Sequence, residues 1–265
     1  MRTYRFLFCL LLGSLLVAGQ ATALTGKQIM EEQNQRHNAA QETMEQVMVL
    51  VDKKGNKENR ALRWYTKELS GQESRYLIVF DSPAAIKGTA LLTWDHASKA
   101  SDQWLYLPAG KRVQRIASGS KKGYFAGTDF TYEDLEPVDL DDFTFKILRE
   151  EKIDKKDCWV IEAEPANKTA AKESSYGRRL FWVRQDIYLT IKIEFYDQAT
   201  KLIKTQTAYE FVQIKGTMWR SSKVLMDNHK MQHKTLMAVK SRELDQKIDN
   251  KLFTEAYLLA ERHLK

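Results

Sequence analysis

The feature that most constrains this chain is a long series of strand-length apolar runs separated by turn signals. Residues 75–81 are the clearest: Tyr76, Ile78 and Phe80 point one way while Arg75 and Asp81 point the other, the alternation of a half-buried strand. Ile191 and Ile193 alternate with Lys192 and Glu194 in the same manner. Comparable runs fall at 46–52, 60–69, 89–95, 104–107 and 111–116, and then at 143–150, 157–164, 178–184, 188–196, 202–214, 219–227 and 234–244. Lys53-Lys54-Gly55-Asn56, Ser70-Gly71 and Ser82-Pro83 break the chain between runs. Only four prolines occur, and no low-complexity linker interrupts the series. The pattern predicts one mainly β domain: a single antiparallel sheet, strongly curved, as a barrel or a half-open barrel, with on the order of ten strands. Helices are expected only at 25–38, where Thr25 and Gln28 have the spacing of a capping box, at 83–87, and at 250–262. The first of these is expected to lie over the opening of the sheet as a lid.

The ends and the charge narrow the class. Residues 1–23 read as a cleaved signal peptide, with Arg2 and Arg5 ahead of the apolar run 6–17 and Ala21-Thr22-Ala23 as a small-x-small cleavage site. That run is short for a membrane span of about 20 residues. Residues 24–265 then form a single exported domain, with the periplasm as the expected location. Loss of Arg2 and Arg5 lowers the formal charge from +7 to about +5, a mild basic balance suited to anionic lipid headgroups or an acidic partner. No basic stripe with stacking aromatics points to nucleic acid. Cys158, the one cysteine left after cleavage, reads as a small buried apolar residue in a strand. Asp129, Glu133 and Asp134 form an acidic cluster without a nearby histidine or nucleophile, and a charged loop in which Asp129 caps a helix start at 131–135 explains them better than acid–base chemistry. His229 and His233 are four apart, but in a strand or turn context that spacing does not make a metal site, and both are expected to face solvent. No catalytic residue, metal or cofactor is expected.

The most specific stretch is 104–135, WLYLPAGKRVQRIASGSKKGYFAGTDFTYEDL. Two strands joined by Pro108-Ala109-Gly110 lead into a loop in which Gly123 and Gly127 bracket Tyr124-Phe125, with Phe130 and Tyr132 following. Rings on a loop must rest on something apolar. This stretch resembles the signature of the outer-membrane lipoprotein-sorting protein family, which is similar to periplasmic lipoprotein carriers of the LolA and LolB type. Ser82-Pro83-Ala84, Lys87-Gly88-Thr89 and Leu252-Phe253-Thr254 add weaker matches. The resemblance implies a curved, incomplete barrel with an apolar hollow partly closed by helices. It also implies a role in carrying a lipid or the acyl chain of a lipoprotein.

Six tryptophans fall in or beside the expected strands. They either fill the interior or line a lipid-sized hollow; the resemblance favours the hollow. Strand parity places Tyr76, Phe80, Trp94, Trp104 and Tyr106 on its wall, the last two less firmly because Leu105 and Leu107 are apolar too. Tyr124, Phe125 and Phe130 are expected on a lid or mouth loop over 120–135, with at least one ring dipping inside and Phe125 dispensable to the fold. The expected partner is a lipid or lipoprotein acyl chain and the expected function is non-enzymatic transport. The alternative is a sensor or adaptor that docks on an envelope membrane protein or lipid exporter.

Overall fold

The structure is a computed structural model that describes residues 24–69 and 73–264; the expected signal peptide lies outside the described residues. After α1 (Gly26–His37) come β1 (Gln41–Val51), β2 (Lys57–Glu68), β3 (Ser74–Ser82), β4 (Ala90–Asp95), β5 (Asp102–Leu107) and β6 (Arg112–Ile116). A long connection over 117–142 leads to β7 (Phe143–Ile153) and β8 (Lys156–Pro165), then α2 (Lys168–Glu173). The chain continues through β9 (Arg178–Arg184), β10 (Leu189–Tyr196), β11 (Leu202–Lys215), β12 (Met218–Asn228) and β13 (His233–Leu244) to α3 (Glu255–Leu259).

All thirteen strands join one antiparallel sheet in the order β6-β5-β4-β3-β2-β1-β13-β12-β11-β10-β9-β8-β7. It is a curved sheet that does not close into a barrel. The order follows from two meanders. The first walks outward from β1 to the β6 edge, and the second starts at the β7 edge and walks back until β13 pairs with β1, Val47 facing Ala238. The connection over 117–142 therefore has to travel from one edge of the sheet to the other. It does so across one face, here called the inner face.

The inner face carries Met48, Leu50, Leu62, Ile78, Phe80, Leu91, Phe195 and Met226 under this connection, and Ile161, Ala163, Phe181 and Val183 under Ile29 and Met30 of α1. The Thr25–Gln28 capping box is present, with each residue satisfying a backbone N–H of the other. The outer face of the first meander carries Leu77, Val79, Leu92, Trp104 and Tyr106, covered by Ile248, Phe253 and Leu258 of the C-terminal segment. Several polar ties hold that segment down: Trp94 Nε1 donates to the Phe253 carbonyl at 2.9 Å, and Tyr106 Oη to Glu261 at 2.9 Å.

Helix is scarcer at the C-terminus than the spacing predicts. The 250–262 stretch breaks into a 3₁₀ turn, the five-residue α3 and a second 3₁₀ turn. Residues 84–88 make one turn, closed by the Lys87 N–H on the Pro83 carbonyl. The polar excursion at 165–175 contains α2, which the sequence did not signal; Asn167 caps it by accepting from the N–H groups of Thr169 and Ala170.

Candidate functional site

The connection over 117–142 is a strap, and local chemistry explains its path. Ala126 and Gly127 both take left-handed backbone, φ +47° and +74°, which reverses the chain. The Phe125 N–H then reaches the Phe130 carbonyl at 2.8 Å, and the Tyr132 N–H reaches that of Gly123 at 3.0 Å. This tight fold drives Phe125, Phe130 and Leu135 into the inner-face core. Phe125 stacks on Phe80 with centroids 5.4 Å apart. Buried polar groups pin the backbone between the rings. The Thr235 hydroxyl donates to Asp129 Oδ2 at 2.7 Å, and His233 Nδ1 lies 2.7 Å from the same oxygen. Asp134 pairs with Lys204, both fully enclosed, and accepts from the Tyr176 hydroxyl at 2.7 Å. Glu133 accepts from the Ser174 hydroxyl and the Ser175 N–H. Near the β7 end Lys121 and Glu136 pair at 2.6 Å, and burial pushes the Glu136 carboxyl up to about 7 against the opposing pull of Lys121.

Several expectations are corrected here. The acidic cluster is not a solvated loop: the side chains of Asp129 and Asp134 are buried, and their partners outside the strap lie 42 to 106 residues away. Asp129 does not cap residues 131–135; the Thr131 hydroxyl accepts from the Asp134 N–H instead. His233 faces Asp129, not solvent. Phe125 is 1% exposed and belongs to the main core, so it is no dispensable gate. Tyr124 alone of the three strap rings is exposed, its hydroxyl accepting from Asn228.

The expected wall residues divide between the two faces. Tyr76 and Phe80 share the inner face with Ile78, and burial raises the Tyr76 hydroxyl to about 12. Phe125 and Phe130 join them from the strap. Trp94, Trp104 and Tyr106 lie on the outer face against the C-terminal segment, and Leu105 packs toward the inner core in their place. Both faces of β5 are covered, so both of its alternating sets are apolar and parity could not choose between them.

The strap fills the middle of the inner face over β1, β13 and β12 and leaves space at both ends. Beyond its Tyr124 end is a cleft of about 450 Å³ between the β1–β2 and β12–β13 turns, lined by Asp52, Lys53, Asn56, Asp129, Asn228 and His233, with Tyr124 and Met231 among them. At the opposite end of the same three strands is a recess of about 170 Å³. Its walls are Met44, Val224, Met237 and Val239, all half-buried, and its floor is charged. Glu42 lies between two arginines, 3.1 Å from Arg220 Nη2 and 2.7 Å from Arg242 Nε. Burial lowers the Arg242 pKa, Glu42 opposes this and Arg220 adds to it. Gln46, 6% exposed, lines the same recess. The sequence reading missed this group because it began the first strand at Gln46 and so excluded Glu42 and Met44. The available signal was the polar pair Glu42 and Gln46 at the same parity as Met44, Met48 and Leu50. Among the described residues no group of three or more His, Cys, Asp or Glu side chains is arranged to hold a metal, and no helix is long and apolar enough to cross a membrane.

A family profile described only as that of an uncharacterized protein matches residues 72–260. No curated protein matches the chain. Solved structures do. An outer membrane lipoprotein-sorting protein domain from Vibrio parahaemolyticus superposes with a TM-score of 0.83 at 31% identity, over 88% of this chain and 98% of that one. A DUF1329 family protein from Desulfovibrio piger gives 0.82 at 27% identity, over 88% and 97%. A LolA superfamily protein from Nitrosomonas europaea gives 0.69 at 20% identity, over 89% and 100%, and shares the fold.

Proposed function

The chain belongs to the family of the Vibrio parahaemolyticus outer membrane lipoprotein-sorting domain, and from that premise we propose that it is a periplasmic, non-enzymatic carrier of lipid or lipoprotein acyl chains. The observation that carries the reading is the half-buried apolar wall of Met44, Val224, Met237 and Val239 on the inner face of a LolA-like sheet. An acyl chain laid against such a wall gains about 0.8 kcal/mol per buried CH₂. The 450 Å³ cleft is larger, but Tyr124 and Met231 supply its apolar side chains, and an acyl chain there would lie beside charged and amide groups. Phe80, Phe125 and Phe130 close the strap side of the hollow, and Tyr76 extends the same face, so the acyl chain lies against β1, β13 and β12 and not through the strap. Release follows when a membrane or an acceptor protein offers equal burial.

Native mass spectrometry of the protein purified from its own envelope tests this. A bound acyl species is the expected result. Protein that is free of lipid as isolated, and that also fails to take up oleate in a fluorescence displacement assay, overturns the reading.

A further inference from the structure

The floor of the recess is more specific than its walls. One carboxylate, Glu42, serves two guanidiniums, and among the described residues no second acid pairs with either. The side chains of Arg220 and Arg242 are only 17% and 12% exposed, so water compensates the surplus positive charge poorly. Their remaining bonds are weak. Arg220 Nε is 3.3 and 3.4 Å from the two Glu42 oxygens and its Nη1 3.2 Å from the Trp219 carbonyl, and Arg242 Nη2 has only the Met44 sulfur at 3.5 Å and the Ser221 carbonyl at 3.3 Å. Gln46 supplies an independent sign. Its amide nitrogen meets only the Met44 sulfur, and its buried Oε1 meets no donor among the described residues.

An unpaired guanidinium charge, an orphaned acceptor and an apolar wall in one recess describe the complement of one kind of molecule. We infer that the ligand is an anionic amphiphile: an acyl chain ending in a carboxylate or phosphate held by Arg220 and Arg242, with a hydroxyl or amide N–H beside it for Gln46. The recess, at about 170 Å³, is smaller than the ~300 Å³ at which sites for whole drug-sized ligands begin. It takes the head and first carbons, and the chain continues along the inner face. This inference rests on the acyl-carrier reading above and specifies its ligand.

The test is a set of binding titrations with four probes: oleate, oleyl alcohol, 1-oleoyl lysophosphatidate and inorganic phosphate. Oleate and lysophosphatidate should bind, and oleyl alcohol should bind at least roughly tenfold more weakly. Lysophosphatidate above oleate identifies a phospholipid head, and the reverse order a fatty-acid carboxylate. Arg220→Gln should weaken both anionic probes roughly tenfold while Arg220→Lys retains most of the binding. Glu42→Gln should tighten them, because it removes the internal competitor. A purely structural cluster would lose thermal stability in both Arg220→Gln and Glu42→Gln without that opposite pair of binding effects. Equal affinity for oleate and oleyl alcohol, unchanged in Arg220→Gln, overturns the anionic head and leaves the acyl carrier standing. Phosphate binding as tightly as lysophosphatidate makes the recess a free-anion site and overturns the inference. Failure of every chain-bearing probe overturns the carrier reading itself.

Discussion

Single side chains in the strap carry more of the fold than their place in a loop suggests. Phe125 contacts Phe80 and, at 5.9 Å between centroids, Tyr132. Phe125→Ala should lower unfolding free energy by about 3–5 kcal/mol, the range for emptying a packed aromatic site, as read by urea denaturation. A loss under about 1 kcal/mol would mean that the strap is not core. Lys204 makes the same point for charge. Its ammonium is enclosed by Asp134, the Asp129 carbonyl and the rings of Tyr176 and Phe195. Lys204→Met leaves Asp134 buried without its cation and should cost about 3–5 kcal/mol. Lys223→Met, which breaks the exposed pair with Glu210, should stay within about 1 kcal/mol. Equal effects from the two variants would contradict the burial described here. None of this was legible in the sequence. An Asp or Lys in a run shows its own polarity, and its partner becomes known only when distant strands meet.

At the scale of elements, the sequence was most informative where one periodicity acted alone. Every strand but β1 begins and ends within about three residues of its expected place, because turn residues and alternation bound it from both sides. The strap was misread because glycines and lysines signal an exposed loop, whereas its register depends on contacts with β1, β3, β12 and β13. Hydrogen exchange can measure this. The N–H groups of Phe125, Asp129 and Tyr132, bonded to Phe130, Thr235 and Gly123, should be protected like those of β3, while the exposed turn at 53–56, held only by local bonds to Asp52, exchanges faster. Rapid exchange at all three would show a mobile strap. The Lys121–Glu136 anchor adds a pH dependence. Glu136 holds its proton more tightly folded than unfolded, so its protonated form stabilises the fold. That contribution is complete below the ordinary 4.5 and is lost as pH rises through about 7. Unfolding free energy should therefore fall by about 3 kcal/mol across this window, and Glu136→Gln should flatten the fall. An unchanged slope in that variant would assign the dependence to Asp95 and Asp142, which burial also raises.

For the whole molecule, the pairing of β1 with β13 makes the two meanders one cooperative body. The C-terminal segment completes it by covering the outer face of the first meander. A chain ending at Leu244 would expose Leu77, Leu92, Trp104 and Tyr106 together and should bind a hydrophobic dye or aggregate. A soluble, dye-silent truncation would show that the segment is not a structural cover. The family's fold was readable from 104–135 because that stretch holds two strands and the start of the crossing, the parts that set the topology. The floor of the recess was not, because its four polar residues come from three strands of the two meanders. The strap also has a geometric consequence. A curved sheet with two free edges is an arc, and a segment running from one edge to the other is its chord. Pinned along its length, that chord fixes how far the arc can open, so the size of the hollow is set by chain length between residues 117 and 142. A longer connection, with every wall residue unchanged, would make a wider vessel.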